Sequence, residues 1–162
     1  MPDEFLYLDI IPLRTAEEVG GFSRRAVRAR GVAVAGCLTD SGTFRQFHDC
    51  RKLVAHLRSA KCVVGYNIIA FDYELIRGQT SFRRPKTLDL MVWLSRAAGR
   101  RVSLREAVRA TLGRIGLADG NALTEAWGAG DRDRVGRALG RKLNVLRRLH
   151  EHVNAHGYGC LP

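Results

Sequence analysis

The chain predicts an α/β fold with a mixed central sheet, in which three antiparallel strands come first and parallel strands follow, flanked by helices. Three observations predict it. An apolar run at residues 5–11 and a small-residue run at 31–38 are followed by the turn signal Asp40-Ser41-Gly42, the mark of a meander. Residues 50–60 then carry Leu53, Val54 and Leu57 at helical spacing and lead into a short continuous apolar run at 61–66, the pattern of a buried parallel strand. Finally, residues 131–156 carry one long apolar stripe at a period of 3.6.

Taken in order, residues 5–11 form the first strand, and residues 14–30 read as a basic loop around Gly20-Gly21. Residues 31–38 and 43–47 make an antiparallel hairpin about the Asp40-Ser41-Gly42 turn. The helix over 50–60 and the strand over 61–66 form a crossover unit. A helix over 71–77 and a Ser/Arg/Pro loop lead to Leu88–Leu90, a last short strand continued by a helix through Ala98. Ser103-Leu104-Arg105-Glu106 is a capping box, which opens a helix that ends at Leu112 before Gly113. Residues 114–120 and 128–130 read as loops. The last helix, over 131–156 and stopped by Gly157, aligns Val135, Leu139, Leu146, Leu149 and Val153. Without repeats or a linker, residues 1–162 read as a single domain.

The balance of 27 Lys+Arg against 16 Asp+Glu gives a formal charge of +11, which favours polyanionic partners, nucleic acid first among them. Arginine supplies 23 of the 27, so the excess also fits a compositional bias spread over solvated faces. No apolar run reaches the ~20 residues a membrane span requires, and Asp3 and Glu4 replace the basic start of a signal peptide. The expectation is a cytoplasmic protein with no membrane partner. Cys37, Cys50, Cys62 and Cys160 show no Cys-x-x-Cys spacing and read as reduced, partly buried thiols.

Two isolated carboxylates, Asp9 in the first strand and Asp72 just past the strand at 61–66 and its turn, are candidates for one shared site. Lys142 falls in the middle of the apolar stripe of the last helix. Burying an unpaired ammonium costs several kcal/mol, on the order of the penalty for any uncompensated ion, so Lys142 is expected to point at carboxylates. The alternative is that it snorkels along the core edge into water.

These segments resemble the ribonuclease H-like DEDD superfamily of 3'-5' exonucleases, especially bacterial stand-alone or helicase-associated members. The resemblance rests on Leu8-Asp9-Ile10-Ile11, Val63 to Asp72, Thr87-Leu88-Asp89-Leu90 and the last helix, and it spans nearly the whole chain. It implies a ribonuclease H-like fold and a site in which four carboxylates hold two Mg²⁺ or Mn²⁺ ions for in-line phosphodiester cleavage. By the same resemblance Asp9 and Asp72 match the first and second aspartates, with Asn67 and Phe71 at the positions preceding the second. Ile11 stands where the family has glutamate, Lys142 at the final aspartate and Ala138 at the tyrosine, with Arg137 where a histidine would stand. Any metal would therefore rest on Asp9 and Asp72 alone, and no cofactor is expected unless the chain is active with Mg²⁺ or Mn²⁺. Lys142 is expected to bridge the two aspartates, offsetting a repulsion of about 4 kcal/mol at ~4 Å for an effective dielectric of ~20. Asp89 reads as a support of the fold.

Arg24, Arg25, Arg28 and Arg30, with Arg83, Arg84 and Lys86, are expected to frame an anionic groove beside this remnant site, together with Asn67 and Phe71. Phe22 and Phe82 either stack bases or anchor their loops. His150, His152 and His156 read as a solvated face of the terminal helix rather than a zinc site with Cys160. Three functions follow. The first is a catalytically inactive exonuclease-like protein, a pseudoenzyme that binds single-stranded DNA or RNA. The second is a weak divalent-metal 3'-5' exonuclease. The third is a scaffold that meets a protein in a nucleic-acid-processing complex.

Overall fold

The computed structural model describes residues 4–156. Its centre is β1 (Phe5–Pro12), an eight-residue strand flanked on both sides. β2 (Val32–Thr39) pairs with it antiparallel, Leu6 facing Thr39 and Asp9 facing Gly36. β3 (Phe44–Phe47) continues the meander with Gln46 opposite Gly36. On the other side β4 (Cys62–Gly65) and then β5 (Thr87–Asp89) are parallel, giving the order β3-β2-β1-β4-β5. The mixed sheet is therefore as the sequence predicts.

The length difference between β1 and β4 makes the site. Their pairing covers only Phe5–Tyr7 against Cys62–Val64, so the second half of β1 runs on beyond the C-terminal end of β4. Asp9 lies on that overhang, inside the strand.

Alternation along β1 sends Leu6, Leu8 and Ile10 to one face and Tyr7, Asp9 and Ile11 to the other. The first face packs on α2 (Arg24–Ala29), α3 (Cys50–Ser59) and α4 (Asp72–Arg77) through Val27, Leu53, Leu57, Leu75 and Ile76. The second lies under α5 (Leu90–Ala98), α6 (Leu104–Leu112), α7 (Gly120–Gly128) and α8 (Arg132–His156). Ser103 and Glu106 cap α6 reciprocally, as predicted. Among the described residues no helix is long and apolar enough to cross a membrane.

Three local readings need correction. Residues 14–30 are not a loop: Thr15 and Glu18 form a capping box on α1 (Ala16–Val19), and Ser23 caps α2. The loops read at 114–120 and 128–130 are shorter than expected, since Gly120 and Gly128 belong to α7, a helix over a stretch to which the sequence reading gave no element: Asp119 accepts from the Asn121 and Ala122 amides, while Leu123, Ala126 and Trp127 give a buried face. His150 is not solvated but 2% exposed, held between the Tyr7 hydroxyl at 2.8 Å and Asn154 at 3.1 Å. Burial lowers its pKa, which favours the uncharged ring. His152 and His156 stack on each other at the end of α8, and Gly157 and Cys160 lie outside the described residues.

Candidate functional site

The seat of the site is a row of side chains across the sheet under α8. Asp9, Gly36 and Gln46 are cross-strand neighbours on β1, β2 and β3, and α8 runs over all three. A Cβ on Gly36 would lie 2.7 Å from Leu139 Cγ and 3.0 Å from Leu143 Cδ1, so only glycine lets the helix settle this close. At the outer strand the fit is reversed, and the Gln46 side chain rests on Gly136 of the helix. With Leu139 and Leu143 seated over Gly36, the neighbouring position, Lys142, reaches Asp9.

Lys142 Nζ donates to Asp9 Oδ1 at 2.8 Å. About a third of the lysine side chain, 32%, meets solvent, against 11% for Asp9, so the pair is screened on one side only. The snorkelling alternative thus describes the stem, while the ammonium itself is spent on a carboxylate. Asp9 Oδ2 is buried and accepts no hydrogen bond from the described residues.

Asp72 opens α4 and is fully enclosed, with Oδ1 accepting the Ile10 amide at 2.8 Å. Burial first, and then the Asp9 charge, raise its pKa well above the ordinary carboxylate range, against the pull of Lys142 and the Ile10 amide. Lys142 shows the opposite balance: burial works to lower its pKa, but the charge and hydrogen bond of Asp9, with Asp72 beyond, outweigh it and raise the pKa. The expected bridge is therefore half direct. Lys142 is hydrogen-bonded to Asp9 and acts on Asp72 through space.

Asp89 explains how Asp72 is aimed. Its Oδ1 accepts the Asn67 and Met91 amides at 2.9 and 3.1 Å, and its Oδ2 the Ile69 amide at 3.1 Å. That grip holds Asn67 at φ 60°, a left-handed conformation that asparagine tolerates better than most side chains. The turn then closes with the Phe71 amide on the Asn67 carbonyl at 3.1 Å and delivers Asp72 to the helix start. Asp89 supports the fold, as expected.

Around the pair lies a cavity of about 260 Å³, bordered by Asp9, Ile11, Arg30, Tyr66, Phe71, Asp72, Asp119 and Lys142. It sits past the carboxyl ends of parallel strands, the usual crevice of open α/β sheets. Arg30 is buried: its Nε donates to the Arg14 carbonyl at 2.8 Å and its guanidinium lies 5.1 Å from the Phe71 ring centre. Ile11 borders the cavity while packing with Leu123 and Trp127, and Ala138 lies half-buried against the same cluster. Arg137 is exposed.

By sequence, no family model and no curated protein matches the chain. Among solved structures it is similar to the family B DNA polymerase from the hyperthermophilic archaeon Pyrobaculum calidifontis, with a TM-score of 0.66 at 17% identity. The match covers 95% of this chain and 25% of that one, so the chain spans about a quarter of the polymerase. The fold is ribonuclease H-like.

Within this ribonuclease H-like frame the donor set does not fit a pair of divalent cations. Hard cations of this kind draw on several carboxylate oxygens. Here there are two carboxylates, one oxygen taken by an ammonium and another by a backbone amide. Asp119, a third carboxylate at the cavity edge, spends Oδ1 on capping α7. Among the described residues no three His, Cys, Asp or Glu side chains converge on a common point.

The remaining basic residues, Arg25 excepted, fall on two adjoining grooves, not one. Arg24, Arg28 and Arg84 line a groove of about 580 Å³ with Ile69 and Ala70, the outer side of the turn that carries Asp72. Arg83, Arg84 and Lys86 line a second of about 500 Å³ with Arg58 and Lys61. Arg25 is exposed but borders neither. Arg28 is partly committed, since Glu74 accepts from it at 2.7 Å and from Arg77 at 2.5 Å. Sequence reasoning missed Gly36, Tyr66 and Asp119. Of these only Asp119 carried a local signal, an N-cap residue ahead of apolar residues at helical spacing.

Proposed function

We propose that this chain is a nucleic-acid-binding protein that keeps an exonuclease-like framework without its hydrolytic chemistry. The observation that carries the reading is the Lys142–Asp9 ion pair at 2.8 Å. A fixed ammonium provides the charge compensation that bound cations would otherwise provide, but it polarises no water and holds no phosphate oxygen in line, which are the tasks of the two-metal mechanism. Asp9 and Asp72 remain as a paired structural remnant, and Mg²⁺ or Mn²⁺ has no role.

Nucleic acid is the partner that suits the surface. A charge of +11 includes arginines gathered on two grooves that meet at Arg84, beside the turn that delivers Asp72. Arginine forks suit phosphate geometry, and counterion release adds a driving force independent of sequence. The structural neighbour is, by its name, a DNA polymerase. Single-stranded DNA or RNA in the cytoplasm is the class of partner proposed.

The test is a time course of end-labelled single-stranded DNA and RNA with Mg²⁺ or Mn²⁺, beside the Asp72→Asn variant, resolved on denaturing and native gels. The reading expects a native-gel shift with no shortening of the label. Shortening that requires Asp72 would identify a working exonuclease. No shift at low salt would leave the scaffold role, in which the basic surface meets a protein.

A further inference from the structure

We propose that Phe22 is a base-stacking platform for a single strand whose phosphates follow the arginine track from Arg24 and Arg28 to Arg84 and on towards Arg83 and Lys86; this rests on the nucleic-acid-binding reading above.

Phe22 is 81% exposed, the most exposed large apolar side chain described. It stands between two features that fix the backbone. On one side Gly20 and Gly21 take φ of 81° and 123°, and the Gly21 amide returns to the Ala16 carbonyl at 2.8 Å, ending α1. On the other side the Ser23 hydroxyl accepts the Ala26 amide at 3.1 Å, starting α2. An apolar residue just before an N-cap ordinarily folds back on the fourth helical residue. Here that residue, Val27, is turned into the core, and the ring is left standing on a short, hydrogen-bonded corner. Phe82, the other aromatic of the region, does anchor its loop, lying 4.8 Å from the Tyr73 ring.

Charge decides the occupant. Phe22 borders the same groove as Arg24, Arg28, Arg77 and Arg84, and its one acid, Glu74, is consumed by Arg28 and Arg77. Among the described residues no carboxylate pairs with Arg24 or Arg84. A bare ring beside unpaired guanidiniums matches a ligand that alternates flat, uncharged faces with anionic links. An unpaired base offers such a face, and a duplex keeps its faces stacked inside. The floor of the groove, Ile69 and Ala70, belongs to the turn whose next residues, Phe71 and Asp72, border the Asp9–Lys142 cavity. A strand in the groove thus passes beside the remnant site.

The experiment is fluorescence anisotropy of the full chain with labelled poly-pyrimidine oligonucleotides, single-stranded and duplex, across a salt series. Phe22→Ala should weaken single-strand binding by roughly 5- to 150-fold with an unchanged log–log salt slope, and Phe22→Tyr should restore it. Arg84→Ala should reduce that slope by about 0.7, the share of a single neutralised phosphate. Duplex binding should not respond to Phe22→Ala. Single-strand binding by Phe22→Ala within twofold of wild type would overturn the platform while leaving the nucleic-acid reading intact, and so would an equal weakening for single strand and duplex. Displacement of the oligonucleotide by poly-glutamate equally well from wild type and Phe22→Ala would also overturn it, in favour of an acidic protein. If wild type binds no oligonucleotide at low salt, the parent reading falls with it.

Discussion

Lys142 and Asp9 are 133 residues apart in the chain and 2.8 Å apart in the fold. Their ion pair joins the long terminal helix to the central strand at the point where a carboxylate pair would otherwise repel itself. Stability should therefore report on it. Lys142→Met should cost about 2 kcal/mol, less than the ~3–5 kcal/mol of a fully buried pair because part of the lysine meets water. Urea unfolding of Lys142→Met, Asp9→Asn and the double variant gives the coupling directly. A coupling near zero would mean that the pair is incidental.

Asp72 should behave in the opposite sense. Its folded pKa is raised by burial and by Asp9, so the native state binds its proton more tightly than the unfolded chain does. The linked stability is present below the unfolded carboxylate range and lost as pH rises from there through the raised value. Asp72→Asn, which keeps an oxygen for the Ile10 amide, should be neutral in acid. Through that window it should become progressively more stable than wild type, by on the order of 1 kcal/mol per pKa unit of elevation. Unfolding curves for both proteins from acid to neutral pH test the slope. A parallel offset at all pH values would contradict it.

Gly36 sets the helix height. An added Cβ would lie 2.7 Å from Leu139 Cγ, so Gly36→Ala should push α8 off β2, at a cost of about 1–3 kcal/mol. Because Lys142 rides on the same helix, the variant should also weaken the coupling between Lys142 and Asp9. Reduced stability with the coupling intact would show that the helix tilts rather than lifts.

The carboxylate deficit should be reversible. Ile11 and Asp9 share a strand face and both border the cavity, so Ile11→Glu with Lys142→Asp places four carboxylates around it with Asp9 and Asp72. The double variant should bind Mn²⁺ by calorimetry where wild type does not, and the metal should raise its melting temperature. The same absence of heat in both proteins would argue against the assignment of these positions.

How far the chain could be read before folding differs by element. The sheet was legible because β1, β2 and β4 are apolar runs bounded by turn residues, and the Asp40-Ser41-Gly42 turn ties the more polar β3 to β2. Lys142 was legible as an ammonium on an apolar stripe, and Asp9 and Asp72 as lone carboxylates near strand ends. Gly36 was not: its importance lies in Leu139 and Leu143 of α8 packing over it, and the pattern of a strand does not show which helix residues will cover it. The burial of His150 was hidden in the same way, because its partner Tyr7 comes from the far end of the chain. The α1 and α7 helices were missed for a different reason. Their caps, Thr15 with Glu18 and Asp119, were present, but Gly20-Gly21 and the arginines favoured a loop over 14–30, and the stretch between the loops read at 114–120 and 128–130 was given no element.

The decisive measurement is a Mn²⁺ titration of the wild-type protein, followed by electron paramagnetic resonance, alongside Asp72→Asn. If Lys142 has taken the place of the cations, free Mn²⁺ signal should persist in proportion to what is added, identically for both proteins. Tight, saturable uptake by wild type that disappears with Asp72→Asn would contradict it and return the site to metal chemistry.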